Sequence, residues 1–569
     1  MGLDDRCEFS SHNAEGRRLA LLLRTPTACL FWPIRHVSTG PPRSYSIGTQ
    51  LDPPHSMTRL ARDVLLMAAA TALSRGLGLL RDVAIADHFG AGAAYDAFLI
   101  AFFVPHFLRQ LLAEGALSTA MVPIYTQLKE SSPEADADGF ASNLISWLIL
   151  LFPMLVLCGI LLAPIYIPFL ASGFDPAKLS LTVTLTRIVF PFIAIIGIAA
   201  VIMGILNAHR RFFAASLAPV WFNVGMLVGI LILAPRMEPP ILGVGLGVLI
   251  GGVAQLGSQI PSVLKTGFRF RFQLFPIHAD IRRLAGLMTP ALLTLAVAQV
   301  NLMVDNKLAS HLGDGGISSL QYAMRLFQLP LGVLAVSIAT ALLPRFSKAW
   351  ARQDEGAFYR HLDQGLLVSA LMLLPAMVGL LVIGSDVIGL LFEHGSFVAV
   401  DTARTARVLS FYLIGLVPYG WVYVFTRAAY ARSKPLFPLL ASAVAVGVNV
   451  ALDLLLISSM REAGLALATA ISGICNAAML GMILLWNRRL PMNSIAQLGW
   501  IGLGCVGLFA VTAGVRVCLY DASRLLGVLM PTVAGIIFYA SFVRLSPLWR
   551  IVSALREPNN HVSGSSTSV

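Results

Sequence analysis

Charge is what this sequence has least of. Only 12% of its 569 residues are Asp, Glu, Lys or Arg, against 57% hydrophobic residues, whereas a soluble domain carries roughly a quarter charged. With a mean hydropathy of +0.77, that shortage excludes water as the solvent for most of the chain. Lipid offers backbone groups no water to pair with, so each spanning segment must be a helix or part of a closed barrel. Unbroken apolar runs such as 144–162 and 222–234 argue against the barrel, whose strands alternate and last about ten residues. Cysteine is also scarce. Four of the six (Cys158, Cys475, Cys505 and Cys518) lie in apolar segments and none forms a CxxC pair, so they read as small buried hydrophobes rather than disulfides or metal ligands. No P-loop, HExxH, nucleophile motif or GxGxxG preceding a helix is found, which disfavours an enzyme and leaves a gradient or potential as the energy source for a carrier. The formal charge of +12 comes from Lys and Arg scattered among short loops and reads as a topology signal, not a nucleic-acid surface.

What is there is a series of helical spans. Broken at Gly, Pro and charged clusters, the chain gives about fourteen, beginning near residues 60, 93, 140, 178, 212, 239, 283, 315, 357, 401, 435, 462, 496 and 523. Alternate loops are basic, including Arg210 with Arg211, 265–283, 345–360, 427–434 and the 544–556 tail. The positive-inside rule then places both termini in the cytoplasm. Residues 1–56 differ from the rest and are expected to lie outside the fold. Met57 opens Met-Thr-Arg-Leu-Ala-Arg ahead of an apolar helix, which favours a misassigned upstream start, with a targeting segment or a disordered tail as alternatives.

The chain also repeats itself. Phe89-Gly90-Ala91-Gly92 matches Leu312-Gly313-Asp314-Gly315, Pro105 matches Pro330, Ser172-Gly173-Phe174 matches Gly395-Ser396-Phe397, and Asn223 matches Asn449, at shifts of 223, 225, 223 and 226. An even number of spans separates the copies, so both run in the same direction, as in parallel-repeat transporters that bind substrate between two lobes. The expected fold is an all-α polytopic membrane protein: an N-lobe over 57–270, a C-lobe over 271–490, each of six helices, and two further helices with a tail over 491–569.

Several spans carry charge, which costs about 2.5–3.5 kcal/mol per helix-central Arg even on a lenient scale. Arg75, Arg81 and Asp82 lie in the first span, and Arg75 and Asp82, seven apart, share a face. Asp96, Arg109 and Glu114 lie in the second, bent by Pro105, and Arg325 precedes Pro330 in the equivalent helix of the second copy. Each lobe can thus present arginine to one central space, and guanidinium forks suit phosphate oxygens. Asp305, Asn449, Asp453 and Thr469 supply only oxygens. A sodium ion and interhelical hydrogen bonding are equally good readings of them, and Lys307 could instead neutralise Asp305.

The motif Ser74-Arg75, Leu80-Arg81-Asp82, Phe89 to Gly92, Asp96-Ala97-Phe98, Pro105, Leu108-Arg109 and Ala113 to Ala116 resembles the signature of the MurJ (MviN) lipid II flippase family of the MOP exporter superfamily. Weaker matches continue through Ile205 to Asn207, Ala218-Pro219, Leu391 to Gly395 and Arg427 to Tyr430. The resemblance implies alternating access that carries the undecaprenyl-diphosphate-linked disaccharide-pentapeptide from the cytoplasmic to the periplasmic leaflet of the bacterial inner membrane, for peptidoglycan synthesis. It implies functional roles for Arg75, Arg81, Asp82, Asp96, Arg109, Glu114 and Arg325, with Arg81, Asp82 and Arg325 near the headgroup, and a sodium site at Asp305, Asn449, Asp453 and Thr469. Met324 stands where many relatives have Asp before the arginine, and Gln110 replaces a frequent second arginine. The expected partners are lipid II and membrane lipids, with wall-synthesis proteins also considered and nucleic acid excluded. Alternatives are a flippase for another polyprenyl-diphosphate oligosaccharide and a non-transporting wall-synthesis scaffold.

Overall fold

The computed structural model describes residues 55–110, 116–131, 134–486, 492–519 and 522–556. Of the extension assigned to 1–56, only the last two residues fall among them, at the start of a helix. The described residues form α-helices without a strand. In chain order these are α1 (His55–Phe89), α2 (Ala93–Arg109), α3 (Ala116–Ser131), α4 (Glu134–Leu170), α5 (Pro176–Val189), α6 (Phe192–Ala208), α7 (Phe212–Val228) and α8 (Ile241–Leu264). The order then recurs with α9 (Ala279–Ala309), α10 (Gly316–Pro330), α11 (Val336–Ala351), α12 (Glu355–Phe392), α13 (Ala399–Leu413), α14 (Leu416–Ala431), α15 (Leu436–Met460) and α16 (Glu462–Leu485). α17 (Met492–Cys518), α18 (Arg524–Leu545) and α19 (Trp549–Arg556) follow.

The internal repeat is visible in where helices start. α2 and α10 begin at 93 and 316, α5 and α13 at 176 and 399, α6 and α14 at 192 and 416, and α7 and α15 at 212 and 436. These shifts of 223 or 224 agree with the sequence matches. By length and composition, ten helical stretches among the described residues can cross a membrane, and the α13–α14 pair, bent by 44°, makes an eleventh. The sequence reading expects about fourteen, so this measure supports a polytopic membrane protein without fixing that number. Exposed Leu150, Met154, Leu157, Leu161 and Ile165 on α4 form the apolar outer face that lipid requires. From Arg59 onward the chain packs as one compact unit, with α9 against α3 and α4, and α17 against α12.

Local chemistry sets the helix ends that matter for the site. Asp175 caps α5, accepting from the backbone N–H groups of Ala177 and Lys178, each at 3.0 Å, with Pro176 in the first turn. The N–H bond from Lys178 is the main cause holding the Asp175 carboxyl below its usual range. This cap fixes Lys178 on the first turn. Pro330, which lacks an N–H, ends α10, and the chain continues through a π-helical turn over Leu331–Ala335.

Candidate functional site

A cavity of about 1110 Å³ opens among α1, α7, α9, α10, α14, α15 and α16. Arg75, Arg81, Asp82 and Arg325 all line it. Arg81 donates from Nε and Nη2 to Asp82 Oδ1 at 3.0 and 2.6 Å and from Nη1 to Asn223 Oδ1 at 3.1 Å. Asn223, on α7, in turn donates to the Ser74 carbonyl at 3.1 Å. The other Asp82 oxygen lies 3.4 Å from Arg325 Nε. One carboxylate therefore joins an arginine of the first repeat to an arginine of the second. Met324 also lines the cavity, so Arg325 takes its acid from the other repeat instead of from its chain neighbour. Arg75 is exposed beside the π-turn, where a Cβ at Gly332 would lie 3.8 Å from its guanidinium.

The second oxygen cluster borders the same cavity. Asp305 and Thr469 line it, and Asn449 and Asp453 are fully buried behind them. Asn301 donates to Asp305 at 3.2 Å. The Asn449 side chain reaches Asp305 at 3.2 Å, Asp453 at 3.3 Å and Asn301 Oδ1 at 2.6 Å. Asp453 Oδ1 is buried with no hydrogen-bond partner. At the repeat shift, Asp305 is the counterpart of Asp82 and Asn449 the counterpart of Asn223, but the counterpart of Arg81 is Val304. In the first repeat a guanidinium bridges the acid and the amide; in the second the equivalent place has acids and amides and no fixed positive charge.

Asp96 and Arg109 do not join the cavity wall. Arg109 contacts His106 Nδ1 at 3.3 Å on its own helix, and Glu114 lies outside the described residues. Asp96, fully buried, belongs to a contact between the repeats at the glycine-loop end of the molecule. It accepts from the N–H groups of Gly315 and Ser318, each at 2.8 Å, and so caps α10 from the opposite repeat. Lys178 bridges it to Asp314, at 3.0 and 2.9 Å. Nearby, the loops of the two repeats interlock reciprocally: Ser396 N donates to the Asp87 carbonyl at 2.7 Å, and Gly173 N donates to Ser310 Oγ at 3.1 Å. Residues 87 and 310, like 173 and 396, are 223 apart, so these two contacts are equivalent under the repeat. Tyr322 adds a hydrogen bond to the Gly90 carbonyl at 3.1 Å.

Sequence reasoning missed Lys178, Asn301 and the partnership of Asn223 with Arg81. Asn223 was signalled by its match with Asn449, and Asn301 by its place one helical turn before Asp305. Lys178 gave no signal beyond a charge at a helix start.

The comparisons with known proteins agree with this arrangement. The family model described as "Lipid II flippase MurJ" matches residues 85–537. A probable lipid II flippase MurJ of Rhizobium meliloti (strain 1021) is 33% identical over 444 residues, covering 76% of this chain and 83% of the relative. The lipid II flippase MurJ of Burkholderia cenocepacia is 32% identical over 430 residues, covering 74% and 83%. Among solved structures, "Lipid II flippase MurJ, inward closed conformation" superposes with a TM-score of 0.74 at 29% identity, covering 86% of this chain and all of that one. A multidrug resistance MATE transporter of the MOP superfamily, at 13% identity and a TM-score of 0.58, shares the fold alone. A cavity whose arginines converge from two repeats, within a chain matched to that family over most of its length, places this protein among the lipid II flippases of the MurJ family.

Proposed function

We propose that this chain carries lipid II from the cytoplasmic to the periplasmic leaflet of the inner membrane by alternating access of its two repeats, without enzymatic chemistry. The observation that carries this reading is the Arg81–Asp82–Arg325 bridge in the cavity wall. A diphosphate offers both guanidiniums bidentate oxygens with more negative charge than one carboxylate, so it competes with Asp82 for them. Arg75, exposed in the same wall, adds a third cation. Asp82 holds both forks in place before substrate arrives and keeps the unliganded cavity from carrying bare adjacent charges. Both termini are taken as cytoplasmic from the distribution of basic loops, which puts the interlocked glycine loops and Lys178 on the periplasmic side and the cavity's Tyr430–Pro435 edge towards the cytoplasm.

Asp305, Asn449, Asp453 and Thr469, with Asn301, would hold a sodium ion. The unpartnered Asp453 oxygen and the absence of an Arg81 equivalent make the set fit a hard cation with oxygen ligands. Bound there, the ion supplies the positive charge that Arg81 supplies in the first repeat.

The test is complementation. Expression from Met57 onward should rescue cells depleted of their own lipid II flippase, and Arg81→Ala or Arg325→Ala should abolish rescue at normal protein levels. Rescue by both variants would overturn the role of the bridge. Accumulation of a different polyprenyl-diphosphate glycan on depletion would reassign the cargo.

A further inference from the structure

The cavity has two chemically different walls. The arginine side is charged. The opposite wall, built by α14, α15 and α16, presents no ionised side chain: its lining includes Tyr423, Thr426, Tyr430, Ser442, Ser472 and Asn476. On α14, Tyr419, Tyr423, Thr426 and Tyr430 recur at i, i+4, i+7 and i+11, one helical face about 16 Å long at 1.5 Å per residue. Aromatic stripes at this spacing usually pack a core or anchor at the headgroups. The outer part of this stripe does not pack a core: Tyr423 and Tyr430 are 40% and 41% exposed and line the cavity.

Tyr419 is fixed, with its hydroxyl on the Thr469 carbonyl at 3.3 Å and its ring against Gly473. The hydroxyls of Tyr423 and Tyr430, in contrast, make no hydrogen bond among the described residues. Asn476 adds a second, independent observation. It is 8% exposed, its Oδ1 is buried without a partner, and its Nδ2 reaches only Ser442 Oγ at 3.4 Å. A buried amide oxygen left unpaired beside a cavity is costly unless water or a ligand donates to it.

We infer that the α14–α16 wall is the glycan subsite of the cavity, with Tyr423 and Tyr430 packing on sugar rings and Asn476 accepting from a sugar hydroxyl or N-acetyl N–H. Flat aromatic faces with a polar tip match a ligand that alternates CH faces and hydroxyls. A peptide bearing free carboxylates would call for cations, and this wall has none. The subsite makes the carrier prefer glycan-bearing over bare polyprenyl diphosphates. It rests on the proposed diphosphate role of the opposite wall, since the sugar is joined directly to that group.

The experiment measures binding of three lipids to the purified full-length protein: lipid II, undecaprenyl diphosphate without a glycan, and the lipid-linked disaccharide without its peptide. Wild type should prefer lipid II over the bare diphosphate, and the disaccharide lipid should keep that preference. The double variant Tyr423→Ala/Tyr430→Ala, at exposed positions, should reduce the preference by about tenfold and leave bare-diphosphate affinity within about twofold. Asn476→Ala should act in the same direction. Arg325→Gln should weaken all three lipids. A preference unchanged in the tyrosine variant, or lost when only the peptide is removed, overturns the glycan subsite. Unchanged binding in Arg325→Gln overturns the diphosphate reading and leaves the ratio measured for the tyrosine variant to be judged separately.

Discussion

Asp82 is the residue on which the two repeats meet inside the cavity, and it binds its two arginines unequally. Arg81 is nearly buried and holds Asp82 at 2.6 Å, whereas Arg325 is 42% exposed at 3.4 Å. The looser arm is therefore the one a ligand releases first. Asp82→Asn removes the shared charge and leaves two guanidiniums facing each other, so transport should fall by about tenfold or more. Membrane abundance should stay normal, and Asp82→Glu should restore part of the activity; a flipping assay on matched protein amounts reads both. Arg325→Lys keeps charge and loses the fork, and should also reduce transport. Lys178 poses a different problem at the far end of the molecule. Replacing it by Met leaves the fully buried Asp96 with two N–H donors and no cation, a change of the kind that costs about 3–5 kcal/mol. Thermal unfolding in detergent should show that loss, and Lys178→Met/Asp96→Asn should recover part of it in a double-mutant cycle.

Among the elements, the loops that join α1 to α2 and α12 to α13 depend on glycine for two reasons at once. Gly90 and Gly395 have φ of +59° and +53°, and a Cβ on either would come within 2.4 Å of Ser396 O or 2.3 Å of Asp87 O. Gly90→Ala and Gly395→Ala should therefore loosen this end and raise backbone amide exchange in 87–92 and 395–398. Gly499→Ala on α17, which meets nothing within 4 Å, should leave exchange there unchanged. The recurrence of these Gly-Phe loops was legible because duplication leaves copies at a constant shift. That they clasp each other was not, since Asp87 and Ser396 are 309 apart in sequence and nothing local ties them. The same limit hid Lys178: an Asp-Pro helix start followed by Lys looks like any loop end, and only packing of α5 against α2 brings it to Asp96. Arg75, Arg81 and Arg325 were legible because charge in an apolar run is costly wherever it points. Asp96 and Arg109 met the same criterion, yet one caps a helix of the other repeat and the other contacts its own helix. Cost identifies a buried charge without saying what it faces.

At the scale of the whole molecule the two repeats are copies with different fixed charge. Position 81 is arginine and its counterpart 304 is valine, so the first repeat carries its cation covalently and the second is left with Asp305 and Asp453 facing the Asn449 amide. An ion that binds this folded arrangement and not the unfolded chain must stabilise it by RT ln(1 + [L]/Kd), about 2.7 kcal/mol at a hundredfold excess over Kd. Sodium should therefore raise the unfolding temperature of the full-length protein in detergent at constant ionic strength. Potassium should do less, because a small set of oxygens on two packed helices and a neighbour adapts poorly to a larger ion. Asp305→Asn/Asp453→Asn should abolish the sodium shift while raising stability in its absence, since two buried acids no longer repel each other. An equal response to potassium, or a sodium response that survives in the double variant, would remove the ion from this repeat and leave the cluster as a hydrogen-bonded brace between α9 and α15.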